Sequence, residues 1–583
     1  MNVNCQHHGG NTLTYLAVKI ISALRSRISR PSGSGHCFRG RDPTTKVPVT
    51  VACLLPHWLW PGLLVALFII LIALITFSSL WRHAPTHPWN HLLEDRYLWH
   101  VVSFTFLQAL LSACFATLPA VALARALYHR RFPGRTLLLR FCTMTLVLPV
   151  LVGVFGIMSV FGHQGWLARL CTWMHLDYNF FPYGLGGILL AHVFFNLPLA
   201  TRLLLQALER IPVEQLQLSS QLDMSIGQFF RLVEWPYLRR QLLPTAALIF
   251  MLCFASFVTV LALGGGPRAT TIELAIYQAL NYDFDAGRAA LLALLQMVIC
   301  LGLIVLSQIL GGTLPVGESQ HTLCWRDRQN SLTGLLADSL IILAAILFLL
   351  PPLMAVVFDG INSDLPIVLT QIELWRALST SLVIASAAGL LCLLLTCMLL
   401  WSSRELRLRQ RIFGAQLLDL SGMVILAMPG IVLATGFFLL ASDNGRLPLS
   451  PASVVILVNA LMTIPYALKV LESPMQDVAE RYGHLCLSLN ITGFNRLRLV
   501  EWRALRRPMG QALALACVLS LGDVGVIALF GNEEFRTLPL YLYQQRSSYR
   551  NQDSAVTALL LLVFCLLLFT MIEKLSRSND KTD

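Results

Sequence analysis

The most distinctive spacing in this sequence belongs to a charged motif that occurs twice. The string RLVEW stands at residues 231–235 and again at 498–502, and LRR follows at 238–240 and 505–507, so eight residues recur at an offset of 267. Arginine and glutamate side chains at fixed spacing form ion pairs and charge-assisted hydrogen bonds rather than an apolar core. The duplicated motif therefore predicts two equivalent docking surfaces for a partner protein.

Motifs for catalysis are missing from the sequence. It contains no G-x-x-x-x-G-K-[ST] loop for phosphates, and GGGPR at 264–268 lacks the required lysine. There is no H-E-x-x-H pair and no nucleophile elbow. We therefore predict no catalytic residue, no metal site and no cofactor in this chain, which is not an enzyme by itself.

Polar residues inside long apolar stretches form a second candidate site, because polar groups at membrane depth are costly. Asp523 lies within LGDVG at 521–525, and the offset of 267 pairs it with Ser256. The other candidates for a translocation path are His192, Asn196 and Asn459. The alternative interpretation is that these groups satisfy one another or the backbone of a broken helix.

The composition predicts that these residues are positioned by membrane-spanning helices. Hydrophobic residues make up 56% of the 583 and charged residues only 13%, and the apolar residues fall in long blocks. The fold class is therefore an all-α polytopic membrane protein with about twelve spans: 58–80, 98–124, 137–161, 184–205, 242–264, 288–310, 337–358, 374–401, 417–441, 452–470, 511–530 and 554–572. The net charge of +12 is explained by cytoplasmic loops, so no nucleic-acid partner is expected.

The positions of the basic residues predict orientation in a bacterial inner membrane. Arginines cluster after the second and eighth spans, whereas 359–373 contains neither Lys nor Arg, so both termini should be cytoplasmic. We predict a basic, disordered extension at 1–51, a first half at 52–310, a cytoplasmic linker at 311–336, a second half at 337–573 and a cytoplasmic tail at 574–583. Alternatively, the segment 13–28 within the extension forms an amphipathic helix that lies on the membrane surface.

The repeat extends beyond the charged motif. The offset of 267 also aligns Pro198 with Pro465, and an offset of 280 aligns Pro149 with Pro429 and Gly156 with Gly436. Each half has an even number of predicted spans, so the halves run parallel. Two parallel six-span repeats predict a pseudo-two-fold axis along the membrane normal.

The segments before each charged motif resemble the EAA loops of ABC importer permeases. The matching registers are QLS at 217–219 with Asp223, and HLC at 484–486 with Asn490; the E-A-A letters and the glycine of the family pattern are replaced in both. Asp and Asn are the non-glycine residues that best tolerate the left-handed turn which that glycine makes. Ser225 and Gln228 have capping-box spacing, with Thr492 at the equivalent position, so each loop is predicted as helix, turn, helix.

This resemblance implies a type I ABC importer permease whose loops dock on two copies of an ATPase subunit that hydrolyses Mg-ATP. The candidate coupling residues are Asp223, Arg231, Glu234, Arg239, Arg240, Asn490, Arg498, Glu501, Arg506 and Arg507. For the arginines the alternative is anchoring to lipid headgroups. For the glutamates it is helix pairing three residues back, to Arg231 and Arg498.

Within this family, the sequence from about residue 52 onward resembles that of permeases for thiamine and thiamine pyrophosphate. The similar segments are YLWH at 97–100, FFNLP at 194–198, ATTIELAIYQ at 269–278 and FRTLPLYLYQ at 535–544. The resemblance implies a periplasmic thiamine-binding protein, with 268–288 and 532–553 as its docking surfaces. It also implies a cationic solute, which Asp523 is suited to neutralise. A ferric-iron or polyamine permease and an ATPase-independent secondary transporter are the alternatives.

Overall fold

The computed structural model describes residues 58–84, 95–145, 147–177, 180–310, 332–444, 450–489, 491 and 493–577. The predicted extension at 1–51, linker residues 311–331 and the tail beyond 577 lie outside these residues. Throughout the described ranges the regular secondary structure is helical, with no strand. The all-α prediction is therefore confirmed.

The described residues of the first half form twelve α-helices, whose lengths follow from the apolar blocks of the sequence. They are α1 Trp60–His83, α2 Arg96–His129, α3 Arg135–Met144, α4 Val150–Phe161, α5 Trp166–Trp173, α6 Leu185–Leu208, α7 Val213–Gln221, α8 Ile226–Phe229, α9 Trp235–Phe254, α10 Phe257–Leu263, α11 Ile272–Asn281 and α12 Ala286–Leu310. A π-helix, Phe230–Glu234, joins α8 to α9, and a short 3-10 helix, Pro267–Ala269, precedes α11.

The second half follows this order in outline, with the counterparts of α6 and α7 joined in one helix. Its α-helices are α13 Leu332–Gly360, α14 Leu365–Thr370, α15 Ile372–Leu408, α16 Ile412–Met423, α17 Gly430–Asn444, α18 Pro451–Ser488, α19 Gly493–Arg496, α20 Trp502–Leu521, α21 Ile527–Phe530, α22 Leu538–Ser547 and α23 Asn551–Arg577. A 3-10 helix, Val424–Ala427, extends α16, and a π-helix, Leu497–Glu501, joins α19 to α20. Helix α13 begins five residues before the predicted start of the second half.

The number of spans differs from the twelve predicted. In the described part of the chain, nine helices are long and apolar enough to cross a membrane, and two bent pairs raise the number to eleven. The pairs are Ile226–Phe254 with Phe257–Leu263, bent by 57°, and Ile412–Ala427 with Gly430–Ser442, bent by 79°. The predicted span 511–530 is absent from this set, because α20 begins with basic residues and Gly522 ends it. The predicted span 137–161 is replaced by Val150–Trp173, because α3 ends at Met144 and a new helix starts after Pro149.

Breaks in the helices fall at matched places in the two halves. Pro149 precedes α4 and Pro429 precedes α17, and each proline lacks the N–H that would continue a preceding helix. Ser256 separates α9 from α10, and Asp523 lies at the corresponding break between α20 and α21. Two of the polar residues that the sequence singled out therefore stand where helices are interrupted, whereas the other three lie within α6 and α18.

The first helix of each half packs against the other half. A Cβ atom added to Gly156 in α4 would lie 2.2 Å from the backbone oxygen of Pro352 in α13. Likewise, a Cβ atom on Gly436 in α17 would lie 2.4 Å from Cγ2 of Thr76 in α1. The offset of 280 aligns these two glycines. Because neither has a side chain, the first helix of the opposite half can pack closely against each of them, and the two halves interlock.

Candidate coupling loops and transport path

The first loop has the predicted helix, turn, helix form. Helix α7 ends at Gln221, and the backbone N–H of Met224 donates a 3.2 Å hydrogen bond to the carbonyl oxygen of Ser219, which closes the turn. Asp223 has a φ of +45°, the left-handed conformation expected at the position of the family glycine. Ser225 and Gln228 form the predicted capping box at the start of α8.

This turn supports a prediction about Asp223. Asp223→Val is expected to destabilise the loop by roughly 1–2 kcal/mol, because a β-branched residue is strained at positive φ, whereas Asp223→Gly should leave the loop as stable as the wild type. Limited proteolysis between α7 and α9, measured in detergent on both variants, tests this. Equal cleavage rates for the valine and glycine variants would contradict it.

The second loop has the same turn but a different approach to it. The backbone N–H of Ile491 donates a 2.8 Å hydrogen bond to the carbonyl oxygen of Cys486, the repeat equivalents of Met224 and Ser219. Asn490 and Thr492 lie outside the described residues. The expected separate helix before the turn is absent, since α18 runs unbroken to Ser488. Pro212, which starts α7 in the first half, is replaced by Ala479.

The duplicated charged motif forms a π-helical turn in both halves, at Phe230–Glu234 and Leu497–Glu501. Such turns are rare and occur frequently at functional sites. Most of the predicted coupling arginines are exposed beside them: Arg231, Arg239, Arg240, Arg498 and Arg507, with Arg506 half-buried. Exposed Asp223 and these arginines form a basic and polar surface at each loop.

The two glutamates of the motif do not belong to that surface. Glu234 is fully buried, and its carboxylate accepts hydrogen bonds from Nε of Arg125 at 2.7 Å and pairs with Nε2 of His129 at 2.5 Å. Both partners stand at the end of α2. The predicted direct contact of Glu234 with a partner protein is therefore wrong for this conformation, and so is its alternative pairing with Arg231. Its side chain instead fastens the loop to α2.

Glu501 has the same role in the second half. Its Oε1 atom lies 3.1 Å from a terminal nitrogen of Arg404 in α15, and 3.1 Å from Nε of Arg496. Arg404 is 2% exposed and Glu501 is 1% exposed, so this ion pair is buried on both sides. Sequence analysis missed Arg125 and Arg404 as partners because they stand 109 and 97 residues before the glutamates that they bind.

The path candidates of the first half form one buried hydrogen-bonded chain. The His192 ring binds Oγ of Ser112 through Nδ1 at 2.9 Å and Oγ of Ser256 through Nε2 at 2.8 Å. Asn196 donates to the carbonyl oxygen of His192 at 2.9 Å. These groups satisfy one another, as the alternative interpretation proposed, and hold α2, α6 and the break after α9 together.

The second half contains a shorter version of this chain. Asn459 donates a 3.0 Å hydrogen bond to Oγ of Ser520. The offset of 267 maps His192 onto Asn459, so the two chains share this position, but it maps Ser520 onto Cys253 rather than onto Ser256. The same offset, applied to the polar candidates as well as to the charged motif, would have paired His192 with Asn459 from the sequence alone.

Asp523 is placed differently from the other candidates. Its carboxylate accepts backbone hydrogen bonds from Gly525 at 3.2 Å and Val526 at 3.3 Å, which form a turn just before α21. The side chain is half-buried. A Cβ atom on the preceding Gly522 would lie 3.2 Å from Pro149, which brings the break of one half against the break of the other. In the described residues no group of His, Cys, Asp and Glu side chains is arranged to hold a metal ion.

Comparisons with known proteins agree with this geometry. The family described as "binding-protein-dependent transport system inner membrane component" matches residues 98–311. The thiamine transport system permease protein ThiP of Escherichia coli is 63% identical over 530 residues, which cover 91% of this chain and 99% of that protein. The chain belongs to the binding-protein-dependent transport permease family. It has the family's type I ABC permease fold.

More distant members of the family align over almost the same length. ThiP of Haemophilus influenzae is 43% identical over 89% of this chain and 96% of its own length, and ThiP of Brucella abortus strain 2308 is 41% identical over 84% and 89%. Membership identifies the chain as a multi-pass component of a bacterial inner membrane. It also implies an ATPase and a periplasmic binding protein as partners.

Proposed function

We propose that this chain is the membrane-spanning subunit of an ATP-driven importer of thiamine and its phosphates. The observation that carries the proposal is the 63% identity to a thiamine transport permease over 99% of that protein's length. The chain supplies both halves of the translocation path, so one copy is sufficient for the transporter. ATP, with Mg²⁺, is hydrolysed in a separate partner subunit.

The two loops are the docking surfaces for two copies of the ATPase subunit. Each presents exposed arginines beside a π-helical turn. Each is also fastened to the second long helix of its half by a buried glutamate. A displacement of the loop would therefore move α2 or α15 with it, because breaking a buried ion pair costs several kcal/mol.

The opposite ends of the spans receive the solute. The segments 268–288 and 532–553, which include α11 and α22, are separated from the loops by the lengths of α9 and α20. We assign them as the docking surface for the periplasmic binding protein. In this orientation both termini are cytoplasmic, and the breaks in α9–α10 and α20–α21 stand along the path.

ATP hydrolysis by the assembled transporter tests this function. The chain is co-purified with its ATPase, reconstituted in liposomes, and supplied with the binding protein empty, loaded with thiamine, or loaded with ferric iron or a polyamine. Stimulation and uptake with thiamine alone are expected. Stimulation by the iron-loaded or polyamine-loaded binding protein would show that iron or a polyamine, and not thiamine, is the substrate. Thiamine uptake without any ATPase would show that the chain is a secondary transporter.

The docking role of the arginines makes a separate prediction. Arg239→Glu/Arg240→Glu is expected to abolish co-purification of the ATPase, because it reverses two exposed charges at one docking surface. Arg169→Glu, an exposed arginine in α5 outside the loops, is the matched control and should retain the ATPase. Unchanged co-purification in the double variant would assign these arginines to lipid headgroups instead.

A further inference from the structure

Aromatic residues of the two halves meet beyond the helix breaks. The aligned strings ATTIELAIYQ and FRTLPLYLYQ place Tyr277 and Tyr543 at equivalent positions, and the backbone confirms the register: Ile272 N–H donates to Thr105 Oγ1 as Leu538 N–H donates to Ser381 Oγ. Tyr277 lies within electrostatic reach of Tyr543 across the interface between the halves. The two tyrosines therefore lie in the same region, at the interface between the halves.

More rings extend this aromatic surface. The ring centroid of Tyr277 lies 5.4 Å from that of Phe257 and 6.1 Å from that of Tyr282. Tyr277 and Tyr543 are only half-buried, so part of each ring is accessible. The electron-rich faces of such rings attract cations.

Two carboxylates adjoin the rings, one from each half. Glu273 stands one helical turn before Tyr277, on the same side of α11, and is near enough to Asp523 for the two charges to repel. A Cβ atom on Gly525 would lie 3.6 Å from Oδ1 of Asp523 and 3.7 Å from the ring of Phe257, so Asp523 borders the aromatic surface. The carboxylates and the rings thus form one cluster.

Glu273 is the unusual member of the cluster. It is only 3% exposed, yet nowhere in the described part of the chain does a side chain or backbone group form a hydrogen bond or ion pair with it. Burying a carboxylate without a partner is costly, and the nearby charge of Asp523 increases the cost. A bound positive charge would remove both penalties.

The fold does not require these acids. The repeat equivalent of Glu273 is Pro539, and that of Asp523 is Ser256. Each half therefore forms the same helices without an acid at one of the two positions. The tyrosines are duplicated but the carboxylates are not, as expected when the acids serve a ligand rather than the repeat.

We propose that Glu273 and Asp523, with the faces of Tyr277 and Tyr543, form a binding site in this chain for a small aromatic cation. The proposal rests on the proposed function, because thiamine carries a thiazolium ring with a quaternary nitrogen. That nitrogen has no hydrogen to donate, so fixed negative charges and aromatic faces are the groups that recognise it. The carboxylate of Asp523 makes two long backbone hydrogen bonds and retains lone pairs with which it can interact with a cation.

The site is separate from the coupling loops. Helix α9 has 20 residues between the π-helical turn and its break, a length of about 30 Å at 1.5 Å per residue. Substitutions here should therefore change solute binding without changing ATPase docking.

Equilibrium binding to the full chain in nanodiscs tests the site. The probes are radiolabelled thiamine and 3-deazathiamine, a neutral isostere in which carbon replaces the quaternary nitrogen. We expect the wild type to prefer thiamine by at least tenfold. Glu273→Gln and Asp523→Asn should each weaken thiamine binding about tenfold and reduce this preference, and the double variant should abolish it. Glu533→Gln, which removes an exposed acid from the same end of the molecule, is the matched control.

Folding of each variant is measured by its unfolding temperature. Because Glu273 has no partner, Glu273→Gln should unfold at the wild-type temperature or above, whereas loss of a structural carboxylate would lower it. Tyr277→Phe should retain binding and Tyr277→Leu should lose it, because only the ring face is used.

The outcomes separate this site from the proposed function. If reconstituted wild-type transporter takes up thiamine while the folded Glu273→Gln and Asp523→Asn variants bind both probes like the wild type, the site is overturned and the function stands. Equal affinity of the wild type for thiamine and its neutral isostere also overturns the site. Absence of thiamine uptake by the wild type overturns the function and the site with it.

Discussion

Arg404→Met is expected to destabilise the protein by about 3–5 kcal/mol, because it leaves Glu501 as an inadequately compensated charge in a buried position. The Arg404 guanidinium is 2% exposed, and it lies over the ring of Trp401 at 4.5 Å as well as against Glu501. Methionine retains part of the packing and removes the charge, so the effect measures the combined loss of the contacts with Glu501, Glu405 and Trp401. Thermal unfolding of the purified chain in one detergent measures it.

A control variant is available in the same helix, and a rescue variant adds a substitution of Glu501. Arg376→Met removes an exposed arginine from α15 and should change stability by less than about 0.5 kcal/mol. Arg404→Met/Glu501→Met should recover most of the lost stability, since an apolar pair can replace a buried ion pair. Equal unfolding temperatures for Arg404→Met and Arg376→Met would refute the buried pair.

The rescued variant also separates stability from coupling. If the pair transmits motion, Arg404→Met/Glu501→Met should fold and bind the ATPase yet take up thiamine more slowly than the wild type. In the first half Arg125 is 28% exposed, so water screens its pairing with Glu234 and Arg125→Met should cost less than Arg404→Met.

Gly156→Val is expected to separate the interlocked halves and to prevent stable assembly of the membrane domain. Its Cβ atom would lie 2.2 Å from the backbone oxygen of Pro352, and backbone cannot move aside as a side chain does. Overpacking typically costs about 1–3 kcal/mol, and a conflict with backbone belongs at the upper end. The yield of monodisperse protein after gel filtration and its unfolding temperature measure the effect.

Two further variants sharpen this result. Gly302→Val introduces the same side chain where no atom lies within 4 Å and should leave the yield unchanged. Gly436→Ala conflicts mainly with the side chain of Thr76, so Thr76→Gly should rescue it in the double variant. A normal yield of Gly156→Val would show that the first helix of the second half does not pack as closely as described.

Features that depend on neighbouring residues were predictable from the sequence alone. The turn at Asp223 and the capping box of Ser225 and Gln228 follow from local backbone preference, and both are present. The duplicated halves, the helical class and the family were predictable because repetition and apolar length are properties of the chain itself. The sequence likewise indicated Asp523 as a polar residue inside an apolar stretch, and the structure then showed that the helix is interrupted there.

Tertiary structure alone decided which charges meet. Glutamate is typical of protein surfaces, yet Glu234 and Glu501 are buried because each pairs with an arginine about a hundred residues earlier in the chain. Nothing in the spacing of the sequence links each glutamate to its arginine. Tertiary structure also decided that α18 runs unbroken to the turn of the second loop, whereas the first loop has a separate helix, α7, before its turn. In the same way, α20 and α21 are separated by too long a break to be counted as one span. Glu273 became a candidate binding residue in the same way, because the sequence does not show that its carboxylate has no partner. That can be seen only from the positions of the surrounding residues in the folded chain.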